Sequence, residues 1–157
     1  MFFSDEVTWT STDFIVFALM LSAVCGGIEL AVRLSSQRSY RLAAVMSLGG
    51  AFLMVWANLA VGIIGNEENP RNLILYVILA VGLIGAIISR GRALGLSLTL
   101  RVMAAVQIAV AVVAAVLDWA LLPIFTVFYV ALWVVAGQLF KISAKSMGES
   151  GYKSRIM

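Results

Sequence analysis

The chain has no histidine, one cysteine (Cys25) and two prolines in 157 residues. Those shortages remove the donors for most haem and zinc sites, for dithiol redox chemistry and for a disulfide within one chain. Charge is scarce as well: 12% of residues are charged and 62% hydrophobic, far from the composition of soluble domains. A water-soluble fold of this length has too little interior to hide so much apolar surface, whereas a bilayer accepts it on the outside of a helix bundle. There is no Ser/His/Asp set, no Gly-rich phosphate loop and no pair of carboxylates placed to flank a bond. Glu67 and Glu68 are adjacent, so their side chains diverge in a helix or a strand. No catalytic residue, metal site or cofactor is expected, and the chain does not read as an enzyme.

Membrane-length apolar runs are abundant. They cover 14–33, 42–64, 73–89, 96–117 and 121–140, separated by short polar breaks at Ser35–Ser39, Gly65–Asn72 and Arg90–Arg92. The fourth break is the least obvious. A single helix over 96–140 would be roughly 68 Å long, about twice the hydrocarbon thickness, so it must fold back. Asp118 and Trp119 followed by Pro123 supply the turn chemistry and an interfacial aromatic there. The expected fold class is therefore all-α: an integral membrane bundle of five transmembrane helices over 1–140, with a basic tail over 141–157.

The net charge of +3 is distributed as a topology signal, so nucleic acid is not expected as a partner. With the N-terminus outside and the C-terminus cytoplasmic, ten of the eleven basic residues fall on the inner side, and Arg71 alone lies opposite. Six of the eight acids fall outside. The segment Met1–Thr12 is acidic and lacks the basic region of a signal peptide. Trp9, Tyr76 and Trp119 are expected at the outer interface and Tyr40 at the inner one. The Ser-, Lys- and Gly-rich stretch from Ser143 to Met157 reads as a solvated tail.

The stretch Arg41–Val116, and above all Trp56–Leu73 with its Gly-x-Glu-x-Asn-Pro-x-Asn loop, resembles a set of uncharacterised small bacterial membrane proteins. The resemblance covers about half the chain and implies a bacterial inner-membrane location and no activity.

Glu29 is the one acid inside a span, and an intramembrane carboxylate is a functional suspect by default. Arg33 follows it at i+4, and Arg101 enters the fourth span to a comparable depth, so an ion pair with either is the simpler role. Asn58, Gln107 and Tyr129 are expected nearer the midplane, as interhelical hydrogen-bonding glue or as a polar pocket. In the second loop, Asn66, Glu67, Glu68, Asn69, Arg71 and Asn72 form a candidate recognition surface. Their spacing matches no calcium loop, and Asn69-Pro70 reads as a capped turn. Small-residue pairs, among them Gly82 with Ala86 and Ala105 with Ala109, allow close helix approach.

Two functions compete. One is a non-catalytic bundle acting through helix packing, with membrane lipids, other membrane subunits or a second copy as partners. The other is a small transporter or channel that uses Asn58, Gln107 and Tyr129 as its pathway and Glu29 as a coupling group.

Overall fold

The computed structural model describes residues 11–65, 68–119, 121 and 123–153, with side chains of the last helix through Ser146. The described chain is all-α. Its helices are α1 (Ser11–Leu34), α2 (Arg38–Ala60), α3 (Leu73–Ser89), α4 (Ala93–Val116) and α5 (Pro123–Lys153), and a 3-10 turn over Pro70–Asn72 leads into α3. All five are long and apolar enough to cross a membrane, α3 together with its leading turn.

The ends of α1, α3 and α4 each have a local reason. Arg41 reaches back to the C-terminus of α1, where its Nε donates to Ser35 O at 2.9 Å and its Nη2 to Val32 O at 3.3 Å. These contacts occupy carbonyls that the helix itself leaves open. The α3–α4 turn is made by two successive left-handed residues, Arg90 (φ 48°) and Gly91 (φ 75°). At the fourth break Asp118 is left-handed (φ 53°), and Trp119 N donates to Ala114 O at 2.8 Å. The fold-back expected at Asp118–Pro123 is thus present, and α5 starts at Pro123, whose missing N–H costs nothing at a first turn.

Helix α5 is central. It packs against α4 and α2, α3 packs on α4, and α1 packs on α2. Three close approaches fix the register. A Cβ at Gly27 would lie 2.8 Å from Leu48, one at Gly50 2.7 Å from Leu132, and one at Gly137 3.5 Å from Leu100. The core runs along this seam through Met54, Leu75, Ile78, Met103, Trp133 and Phe140, all buried. Tyr40 is buried: its ring stacks edge-on against Phe140 with centroids 5.0 Å apart, and its hydroxyl donates to Gly91 O at 2.8 Å. That bond joins the first turn of α2 to the α3–α4 turn at one end of the bundle.

The stretch expected as a solvated tail, from Ser143 on, begins inside α5. Helix α5 continues to Lys153, and Ser143 is fully buried, its Oγ 3.0 Å from Gln37 Oε1. The apolar run ends near Phe140, but the helical backbone satisfies its own hydrogen bonds and has no reason to stop there.

Candidate functional site

Two polar sites and one apolar cavity stand out. Glu29 lies five residues from the end of α1, roughly 8 Å at 1.5 Å per residue. It accepts a hydrogen bond from Arg33 Nε at 2.7 Å, and both side chains are mostly exposed. Of the two partners expected, the structure supplies Arg33. Arg101 is also exposed, on α4, with its Cγ 3.9 Å from where a Cβ of Gly137 would lie.

The three polar residues expected together near the midplane separate into two places. Asn58 is close to the C-terminal end of α2, and its Nδ2 donates across 3.5 Å to Asn72 O. Gln107 and Tyr129 lie deeper. Because α4 and α5 run antiparallel with Gly137 beside Ser97, Leu100 and Arg101, Tyr129 comes level with Gln107. Gln107 is wholly buried, and neither of its amide atoms has a hydrogen-bond partner among the described residues. The same holds for Asn58 Oδ1, Thr126 Oγ1 and Trp133 Nε1. In a low-dielectric interior each such group carries a desolvation cost.

Within the loop, Asn66 and Glu67 lie outside the described residues. Glu68 is exposed. Asn69 caps the 3-10 turn, its Oδ1 accepting from Arg71 N at 3.1 Å, with Pro70 at the first position. Asn72 is turned inward, where its Oδ1 accepts from Ile64 N at 2.8 Å. Arg71 stacks over Trp119 at 5.3 Å, and Ile64 bridges to Leu121, so this loop is tied to the α4–α5 connection. Asn69, Arg71 and Asn72 of the expected recognition surface are therefore engaged in closing that end of the bundle. The Arg71–Trp119 contact joins residues far apart in sequence, and no local pattern announces it.

A cavity of about 630 Å³ lies between α1–α2 on one side and α3–α4 on the other, with Trp133 and Phe140 of α5 among its lining. Small and aliphatic residues such as Ala23, Gly27, Leu83 and Ala86 make its walls. Asn58, Gln107 and Tyr129 do not line it.

One feature escaped the sequence reading. Ala18, Ser22, Gly26, Glu29 and Arg33 recur every three or four residues on α1, and all are exposed. They form a small and polar stripe on the face turned away from α2, next to the exposed Cys25. The four-residue spacing of Ala18, Ser22 and Gly26 was the available signal.

The fold and these sites define a multi-pass helical membrane protein. The chain matches no family model, no curated protein and no solved structure. Its loop resemblance therefore carries no family assignment.

Proposed function

We propose that the chain is a non-catalytic membrane protein that acts through helix packing, as an accessory subunit of a membrane assembly or as a homo-oligomer. The observation that supports this reading is the exposed stripe on α1. Hydrocarbon gains nothing from small and polar side chains, whereas another helix gains close backbone approach and polar contacts from them. A charged pair left at a bundle's outer surface within a span is costly in lipid and is relieved by a protein neighbour.

The proposed orientation places the N-terminus outside and the C-terminus in the cytoplasm of a bacterial inner membrane. Arg33, Arg38 and Arg41 beside the α1–α2 turn and Arg90 and Arg92 of the α3–α4 turn, together with Lys141 and Lys145 of α5, support it through their common end. The transport reading requires Asn58, Gln107 and Tyr129 to share one passage, and it loses support because none of the three lines the cavity.

Gly26→Leu tests the assembly. A Cβ at Gly26 meets no atom within 4 Å, so the bundle itself accommodates the change. The expected outcome is an unchanged unfolding midpoint in mild detergent with loss of the larger species in sedimentation or native mass measurement. Assembly that survives both Gly26→Leu and Ser22→Leu would sink the reading.

A further inference from the structure

We infer that the chain self-associates by docking α1 of one copy against α4 of a second, with Glu29 of the first facing Arg101 of the second. This rests on the assembly reading above and names its partner.

The charges lead the argument. Glu29 and Arg101 are both exposed, and both sit within spans. The register contacts place them at one depth. Gly27 on α1 is level with Leu48 on α2, Gly50 on α2 with Leu132 and Trp133 on α5, and Gly137 on α5 with Ser97, Leu100 and Arg101 on α4. Following those levels inward from Gly27, Glu29 falls beside the residues around 46 on α2, around 136 on α5 and around 100 on α4. The two charges thus differ in depth by about one helical turn or less. Arg101 forms no ion pair among the described residues, and Glu29 has a second carboxylate oxygen beyond the one that Arg33 engages. An arginine and a carboxylate held at one depth in hydrocarbon attract strongly, because neither water nor salt screens them.

The surrounding surfaces agree in shape and direction. Helix α1 runs opposite to α4, so in two copies of the same orientation these helices meet antiparallel. With Glu29 facing Arg101, Cys25 faces Ala105 one turn further out, and Ser22 comes beside Ala109. All of these residues are exposed, and apart from the two charges all are small. On α4 they lie on the face opposite the buried row of Leu100, Met103, Gln107 and Ala114. The two faces belong to different helices of the bundle, so the contact is head-to-tail, and repeated in the membrane plane it closes a ring or extends a chain.

The test uses the native Cys25. In vesicles of the full chain carrying Ala105→Cys, mild oxidation should produce a ladder of disulfide-linked multimers that disappears when Cys25→Ser is added. Glu29→Arg alone, or Arg101→Glu alone, should lower the yield about tenfold, the scale of a desolvated interfacial charge pair. The double exchange should restore it. Cross-linking indifferent to Arg101→Glu, or no rescue by the double exchange, would overturn the pairing. If Gly26→Leu still dissolves an assembly that ignores Arg101→Glu, α1 docks on another face of the second copy; the pairing falls and the broader assembly reading survives. A monomer under every condition would overturn the pairing and the homo-oligomer form of the assembly reading, leaving the accessory-subunit form to stand.

Discussion

Helices α1 and α4 are equal in length at 24 residues and nearly equal in hydropathy, yet 6% of the most apolar stretch of α1 is buried against 39% of that of α4. The difference lies in the arrangement of side chains around each helix. On α4, Ser97, Leu100, Met103, Ala104, Gln107, Val110 and Ala114 form one continuous buried face between α3 and α5. On α1 the single buried residue is Ala31, and the outward face carries the small and polar stripe. Hydropathy thus reports whether a helix crosses the membrane, while side-chain size and polarity around its circumference report what it packs against.

The contrast is tested most severely at Trp133, which is wholly buried where α5 meets its neighbours. Trp133→Ala should cost about 3–5 kcal/mol of bundle stability, the range for truncating a large core aromatic. Leu19→Ala, on the exposed side of α1, should change it by less than about 0.5 kcal/mol. Reversible unfolding in mixed detergent micelles measures both. Equal losses at the two sites would mean that α1 is as deeply integrated as the central helices.

This division also marks how much could be read from the residues alone. Five spans were legible because bilayer thickness sets a length that apolar runs must meet, and α3 begins and ends where its run does, at Leu73 and Ser89. The fold-back before Pro123 was legible because a helix twice that length has no place in a membrane. The packing faces were not: in a chain apolar on nearly every side, periodicity loses the contrast between inside and outside. Hence Asn58, Gln107 and Tyr129 are expected at one polar level, although the register places Asn58 near the C-terminal end of α2 and Gln107 deeper, opposite Tyr129. The burial of Tyr40 and Ser143 likewise depends on helices brought together from distant parts of the chain.

A second comparison sets Gln107 against Asn72. Both are buried amides, but Asn72 accepts from Ile64 N, whereas Gln107 has no hydrogen-bond partner among the described residues. Asn72→Ala should destabilise by about 1–3 kcal/mol, because it strands a buried backbone N–H. Gln107→Leu should act in the opposite direction and raise stability by about 1–3 kcal/mol, since an apolar group of similar size removes the desolvation cost. The unfolding midpoints of the two variants decide the matter. If Gln107→Leu destabilises instead, and also abolishes a solute flux that the unchanged protein supports in liposomes, the polar level works as a pathway and not as packing.

The smallest expected effect on the fold is at Glu29. Its position inside a span invites the expectation that Glu29→Gln weakens the bundle, but the carboxylate is 61% exposed and its partner Arg33 belongs to the same helix. An i,i+4 pair of this kind supports its own helix by about 0.2–0.5 kcal/mol and holds no two helices together. Glu29→Gln should therefore leave the unfolding midpoint of the isolated bundle nearly unchanged. Its consequence belongs to the surface: with the negative charge removed, Arg33 loses its partner and Arg101 of a second copy loses its attraction, so the Cys25–Ala105→Cys cross-link should weaken while the fold does not. A midpoint that drops by as much as that of Asn72→Ala would instead place Glu29 among the groups that hold the bundle together, and the contrast between an integrated α4 and an outward-facing α1 would fail at its most polar point.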